Sequence, residues 1–387
     1  MEFIQRKLNL KDALLKKSVL LFGPRQSGKS FLVKNMDDSI FSLKINLLDG
    51  KTKFQVLQNP SYLKEIVELK NLHDCVIFID EIQMCSQMLD EVHLLIEERN
   101  IRFLMTGSSA RKLRQKGTNL LGGRAWTKFL FPLTYSEIGN HKNYNLPFIF
   151  KHGLLPSMFL ADEDDIEENL SAYVGTYLTE EISAEATSRN LSNFSRFLKT
   201  AALTNGQIIN FSNIASDSQV PVQTVKQWYQ VLTDTLLGFF IEPYQGCNKR
   251  KSINSSKFYF FDIAIVRTLK NIEVPLEGNN EFGEFFEQLI CMELRAWINY
   301  TRPKSKLTYW RTKTGIEVDF CIDDEFAIEV KSTENVQEKH LKGLKTLKEE
   351  AIFKRYIVIS QEPISRKQDS IEIWNWKDFF SELWNSK

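Results

Sequence analysis

Gly23-Pro24-Arg25-Gln26-Ser27-Gly28-Lys29-Ser30 follows the apolar run Ser18-Val19-Leu20-Leu21-Phe22 and leads into Phe31-Leu32-Val33-Lys34. Strand, glycine-rich loop and helix is the order a phosphate-cradling loop needs, and the spacing is G-x-x-x-x-G-K-S. The glycines let backbone N–H groups curl around β- and γ-phosphates, and the helix N-terminus adds a favourable field. Lys29 supplies charge against the phosphates, and the Ser30 hydroxyl supplies a magnesium ligand. A chance glycine turn would lack the flanking strand and helix. The stretch from Gly23 to Ser30, with Phe31 at the helix start, is therefore expected to bind a nucleoside triphosphate, ATP with Mg2+.

Two further apolar runs extend this reading. Cys75-Val76-Ile77-Phe78-Ile79 ends in Asp80-Glu81. A buried parallel strand reads as a continuous hydrophobic run, and ligands sit at its carboxyl end. Asp80 is thus expected to hold magnesium beside Ser30, and Glu81 to orient and deprotonate the attacking water. Ile101-Arg102-Phe103-Leu104-Met105 ends in Thr106-Gly107-Ser108-Ser109. Two readings stand there: a hydroxyl such as that of Thr106 senses the γ-phosphate from between the other strands, or the segment is a plain turn. Arg124, after Gly122-Gly123, reads by itself as a surface arginine.

Composition bounds the rest. The chain has 387 residues, 43% hydrophobic and 26% charged, with a formal net charge of +1. That is room for two or three domains and an ordinary globular composition, with no global basic field for nucleic acid. Five cysteines (Cys75, Cys85, Cys247, Cys291, Cys321) show neither metal-ligand spacing nor a disulfide framework. No apolar stretch is long enough to span a bilayer, and Met1 to Arg6 has no signal core. A cytoplasmic protein with no membrane partner is the expectation.

Gly23 to Ser30, Ile79-Asp80-Glu81-Ile82-Gln83, Thr106-Gly107-Ser108-Ser109-Ala110, Gly123-Arg124 and Phe131-Pro132-Leu133 together resemble the prokaryotic AAA-type ATPases that carry a C-terminal domain of uncharacterised function, DUF4143. The similarity runs over essentially the whole chain. It implies an α/β fold whose first domain is a RecA-like αβα sandwich with the catalytic glutamate next to an additional strand. It also raises Arg124 to an arginine finger serving a neighbouring subunit, hence a homo-oligomer. Ser30 stands where a threonine is common, and both supply the hydroxyl.

The middle reads as helices. Asp162 to Glu168 is an acidic run suited to a solvated helix start or linker, and 169–186 is helix-like. Helices over 194–203, 211–216 and 223–237, the last with Pro221 suited to its first position, precede the strand-like Phe239-Phe240-Ile241-Glu242-Pro243. That is the layout of a winged helix, whose third helix would present Gln223, Thr224, Lys226 and Gln227 to a DNA major groove. A module that packs only on protein fits equally. Lys249-Arg250-Lys251 just beyond is a phosphate-contact candidate or a solvated turn.

The last third carries a second chemical signal. A helix over 281–298 holds Glu287 in its middle. Asp319 lies at the centre of Ile316-Glu317-Val318-Asp319-Phe320-Cys321-Ile322, and Glu329 and Lys331 share a face of the strand that follows. Two carboxylates can hold magnesium or manganese, and an amine can position a nucleophilic hydroxide against a phosphodiester. Glu287 is a further candidate ligand. Asp319 with Glu329-Val330-Lys331 resembles the PD-(D/E)xK nuclease motif, which implies a restriction-endonuclease-like αβββαβ order, with 338–351 as the second helix and 356–360 as the last core strand. A solvated hairpin face is the plainer reading, but carboxylates inside such apolar stretches are costly unless used.

The expectation is then an ATPase domain over 1–160, a helical linker and winged helix over 161–250, and a nuclease-like domain over 251–387. The expected partner is DNA, branched or forked forms included, and the chain would couple ATP hydrolysis to DNA remodelling or cleavage. The alternative is a nucleotide-dependent switch whose C-terminal domain binds a protein partner or structured DNA without cutting. In that case Glu329 and Lys331 would be spent on an internal ion pair.

Overall fold

Every residue from Ser18 to Phe22 is buried, as a strand flanked on both edges and both faces must be. The computed structural model describes residues 4–109, 121–185, 190–247 and 252–386. Among these, β1 (Ser18–Phe22), β2 (Leu43–Asn46), β3 (Val76–Asp80), β4 (Arg102–Gly107) and β5 (Ala125–Phe129) form one parallel sheet in the order β2-β3-β4-β1-β5. Side chains alternate between two cores: Leu20, Phe22, Ile77, Ile79, Phe103 and Met105 pack on one face, and Val19, Leu21, Val76 and Leu104 on the other. That is the expected sandwich. The strand ending in the two acids is separated from the strand before the loop by β4, so the carboxyl ends of all three meet. The edge strands β2 and β5 were not legible in advance. Each has polar positions exposed, as edges do, and so lacks a continuous apolar run.

The acidic run leads into a helical stretch from Ile166 to Glu185, wound as a π-helix over Tyr173–Glu181 where a plain helix was expected. Helices Leu191–Leu203, Phe211–Ser218 and Val222–Asp234 follow, and then β6 (Gly238–Pro243) pairs antiparallel with β7 (Lys257–Phe260). Pro221 caps the third helix instead of occupying its first position. Lys249, Arg250 and Lys251 lie outside the described residues.

A second sheet runs β12-β13-β11-β10-β9-β8-β6-β7. Its further strands are β8 (Leu307–Arg311), β9 (Glu317–Ile322), β10 (Phe326–Val330), β11 (Arg355–Ser360), β12 (Arg366–Gln368) and β13 (Ile371–Asn375). Helix Asn280–Thr301, then β8, β9, β10, a helical segment and β11 follow one another in the expected order. The second helix is shorter than expected, a 3-10 turn Glu338–Leu341 followed by Lys342–Lys348, because Ala351 adopts a left-handed conformation just beyond it.

Packing breaks at neither expected domain boundary. β6 joins β8 in parallel, so a cut after residue 250 falls inside one sheet. One hydrophobic core also runs from Leu133 and Phe150 through Phe197 and Tyr229 to Phe285 and Trp384, across residue 160. The acidic run that marked that boundary is a solvated face, where Glu167 pairs with Arg267 at 2.7 Å. Among the described residues no helix is long and apolar enough to cross a membrane.

Candidate functional site

At the carboxyl ends of β1, β3 and β4 the predicted residues converge. A Cβ on Gly23 would stand 2.6 Å from the Leu130 carbonyl oxygen, so the loop can leave β1 only through a glycine. Gly28 caps the helix Lys29–Lys34 at φ 92°, the left-handed region where glycine is unstrained. Lys29 is buried and donates to the carbonyls of Gly23 (2.7 Å) and Pro24 (3.0 Å). Burial lowers its pKa to about 8, against the pull of Glu81 and Asp80. Ser30 Oγ lies 3.2 Å from an Asp80 carboxylate oxygen. Thr106 bridges the two acids: its hydroxyl donates to Asp80 and accepts from the Glu81 amide at 3.1 Å.

Glu81 sits in the left-handed region at φ 57°, a costly conformation for a glutamate. Its carboxylate accepts from Gln83 and, at 3.3 Å, from Ser108. Neither partner was singled out from the sequence. Gln83 lies two residues past the acid pair, where the 3-10 turn Ile82–Cys85 brings it back; that spacing was the available signal. Arg25 and Gln26, at the tip of the loop, face the helical middle. Arg25 lies over the Tyr177 ring at 4.8 Å, and Gln26 accepts from Ser157 at 2.8 Å. Phe31 is partly exposed beside Pro156 and Leu160, along a small cavity that also reaches Gly28. Arg124 stands apart from these residues, half-exposed at the start of β5 and ion-paired with Glu97 of the helix Met88–Arg99.

The residues present fit Mg2+·ATP by their chemistry. A loop with a glycine at each end, the second in the left-handed region, leads into a buried ammonium, and a hydroxyl faces a carboxylate within a hydrogen bond's length.

In the second sheet, β9 and β10 run antiparallel with Phe320 opposite Ile328. This sets Asp319 beside Glu329, both buried, and the Val330 amide donates to Asp319 at 2.7 Å. Lys331, just past the end of β10, pairs with Glu329 at 2.6 Å. Burial, reinforced by Glu287, raises Asp319 to about 6 despite Lys331 and Lys257. Burial next to Asp319 likewise pushes Glu329 well up, and its second oxygen has no hydrogen-bond partner. Burial alone would lower Lys331, but Asp319 and Glu329 outweigh it and hold it above the ordinary lysine range.

Glu287, expected as a further metal ligand, is otherwise engaged. It accepts from Tyr259 and pairs with Lys257 at 3.4 Å. Lys257, buried on β7, also pairs with Glu317, which in turn holds Arg311 at 2.7 Å. Among the described residues no three His, Cys, Asp or Glu side chains are grouped so as to hold a metal ion. Lys257 was missed because β7 lies 62 residues (319 − 257) before Asp319 and carries no motif of its own.

Three family models match the chain: an AAA domain over residues 15–139, a domain of unknown function (DUF8612) over 145–275, and DUF4143 over 282–379. Uncharacterized proteins of Mycobacterium bovis and Mycobacterium tuberculosis are 24% identical over 322 residues, covering 81% of this chain and 70% of theirs. One from Haemophilus influenzae is 24% identical over 315 residues, covering 76% of this chain and 77% of its own. Among solved structures, the AAA domain of FIGL-1 aligns at 16% identity over 56% of this chain and 70% of that one, with a TM-score of 0.25. PCH-2 of C. elegans aligns at 14% identity over 59% and 64%, with a TM-score of 0.26. Those two scores are too low to carry an argument; the family matches, together with the strand-end geometry, do carry one. The chain has an AAA-type P-loop ATPase domain at its N-terminus and a DUF4143 domain at its C-terminus.

Proposed function

We propose that this chain is a magnesium-dependent ATPase in which nucleotide hydrolysis gates the engagement of DNA by the C-terminal half. The observation that carries the reading is the 3.2 Å approach of Ser30 Oγ to Asp80 beside the buried Lys29. Mg2+·ATP supplies the phosphoanhydride bond to be broken. Ser30 and Asp80 would hold the metal, which would offset phosphate charge. Lys29 neutralises the β- and γ-phosphates, and the backbone of residues 23–28 cradles them. Glu81 turns from Gln83 and Ser108 to orient the attacking water and accept its proton. Thr106 keeps both acids in register and senses the γ-phosphate. Arg124, at the outer edge of the sheet, serves the site of a neighbouring copy in a homo-oligomer.

DNA enters the reading through two features. The third helix of the middle module keeps Gln223, Lys226 and Gln227 exposed along its first turns, as a recognition helix of a winged-helix module would. Asp319, Glu329 and Lys331 cluster in an αβββαβ arrangement like that of the PD-(D/E)xK nucleases, with Mg2+ or Mn2+ as the metal. A second reading, a nucleotide-dependent switch that binds DNA or a protein partner without cutting, is favoured by one observation. Glu329 and Lys331 are already ion-paired.

The test is ATP turnover by the purified chain with and without single-stranded, duplex and forked DNA, following the DNA on a gel with magnesium or manganese. DNA-stimulated turnover, with cutting lost in Asp319→Ala, is expected from the first reading. DNA-stimulated turnover without cutting would establish the switch. Turnover indifferent to every DNA would sink the DNA reading and leave a protein partner.

A further inference from the structure

Arg6 precedes every recognised motif, yet its side chain is buried against the loop. Nη1 donates to the Ser27 carbonyl at 2.7 Å, Nη2 donates to the Phe131 carbonyl at 2.6 Å, and Nε donates to Glu137 at 3.0 Å. The Arg6 and Glu137 side chains are 5% and 1% exposed, so the ion pair is held away from water. All five guanidinium donors lie in one plane, so three acceptors fixed in that plane fix the group.

The Ser27–Gly28 peptide is trans, and in a trans peptide the C=O and N–H point to opposite sides. With its oxygen drawn out onto Arg6, this peptide turns the Gly28 N–H away from Arg6. A phosphate-cradling loop needs its N–H groups turned inward, and Gly28 has the left-handed backbone (φ 92°) that makes such a turn cheap. Without an outside partner for the Ser27 carbonyl, the same freedom would let the peptide flip and present an oxygen to an anion.

We propose that Arg6 is a positioning residue for the nucleotide: it locks the Ser27–Gly28 peptide with its N–H toward the β-phosphate and ties the loop to the segment after β5. Its charge is neutralised by Glu137, so it acts through geometry and not as a further cation on the phosphates. The second arm of its fork extends the tie. Phe131, whose carbonyl it holds, donates its own N–H to Tyr300 Oη at 3.1 Å, and Arg295 lies 5.0 Å from the Phe131 ring. Both residues belong to the helix Asn280–Thr301, which also carries Glu287. The loop's anchor is thus one hydrogen bond from the C-terminal half.

This inference rests on the reading of residues 23–30 as the phosphate cradle, and the experiment separates the two. Calorimetric affinities for Mg2+·ADP and Mg2+·ATP are measured on the full chain, for wild type, Arg6→Lys and Glu137→Gln, with melting curves taken without nucleotide and steady-state turnover. A lysine offers one point of donation where the fork offers three. Arg6→Lys is therefore expected to weaken ADP and ATP alike by about tenfold or more. Because the γ-phosphate machinery is untouched, turnover at saturating ATP should fall by no more than about threefold. Glu137→Gln leaves both carbonyl contacts in place; it should lower the melting temperature while keeping nucleotide affinity within about twofold of wild type. ADP and ATP affinities in Arg6→Lys within twofold of wild type would overturn the positioning role. If Arg6→Lys does not fold, the charge-neutral double variant Arg6→Met with Glu137→Gln decides: a tenfold loss for both nucleotides supports the carbonyl tie, and affinities within twofold of wild type overturn it. A wild-type chain that binds neither nucleotide would remove the cradle reading and this inference together.

Discussion

The two polar clusters of this molecule solve opposite electrostatic problems. At the strand ends of the parallel sheet, one buried ammonium, Lys29, is held by two backbone carbonyls, and its pKa falls to about 8. In the C-terminal hairpin, Asp319 and Glu329 lie buried side by side and rise, while Lys331 and Lys257 are held protonated between acids. The first site keeps a cation for an anionic ligand to meet. The second largely compensates itself: Lys331 is committed to Glu329, and Lys257 to Glu287 and Glu317. A metal entering there would compete with the protein's own ammonium groups, whereas a triphosphate entering the first site has only carbonyl oxygens to displace from Lys29.

The largest effect should come from breaking the first site. Lys29→Ala is expected to abolish nucleotide binding in calorimetry. Glu81→Gln should bind ATP yet lose about a hundredfold or more in turnover, because the base is gone while the cradle remains. Normal turnover in Glu81→Gln would dismiss Glu81 as the base. Asp319→Ala should leave ATP turnover intact, which checks that the two clusters act as separate sites.

Next is Lys257→Ala, which strands Glu287 and Glu317 without their shared ammonium. Removing one partner of a largely buried pair costs about 3 kcal/mol of folding stability, read as a lowered denaturant midpoint. A midpoint unchanged from wild type would mean that water already screens this pair.

The pH dependence sharpens the contrast. Asp319 has a folded pKa near 6, above that of an unfolded aspartate. Its contribution to stability is present below about pH 4 and lost as pH rises through 6, so at neutral pH it opposes folding by up to about 3 kcal/mol. Asp319→Asn, which keeps an oxygen for the Val330 amide, should raise the melting temperature at pH 7 and flatten stability between pH 4 and 6. Lys29, depressed to about 8, acts in the other window: its contribution is present above the unfolded lysine pKa and lost as pH falls through 8. A pH profile of Asp319→Asn parallel to that of wild type would contradict the buried, proton-hungry carboxyl.

The smallest stability effect belongs to Arg124. Its pair with Glu97 is partly exposed, so Arg124→Ala should shift stability by less than about 1 kcal/mol. If the side chain completes a neighbour's site, turnover should fall far more than stability. Mixing the variant with Glu81→Gln should then restore some activity. No restoration would argue against a shared site.

What could be read from the sequence followed from locality. Gly23 to Ser30, Asp80-Glu81 and Thr106 each lie at the end of a short continuous apolar run, and a parallel sheet brings such ends together whatever the details of packing. The hairpin acids were legible for a similar reason, since period-two alternation sets Glu329 and Lys331 on one face, with Asp319 across the turn. Contacts from distant segments were not legible. Ser108 on Glu81, Lys257 on Glu287 and Arg6 on the Ser27 carbonyl have no spacing that announces them, because a side chain's partner across the fold is chosen by packing. Packing across the expected boundaries was not legible for that reason too: composition shifts near residues 160 and 250, but one core runs across the first and the second sheet across the other. The sequence by itself determined which residues form the glycine-rich loop, the acidic end of β3 and the hairpin acids, since each is a local pattern with a local physical cause. Only the tertiary structure decided which cation answers which carboxylate, because in a low-dielectric interior that choice depends on distances of a few ångströms between segments far apart in the chain.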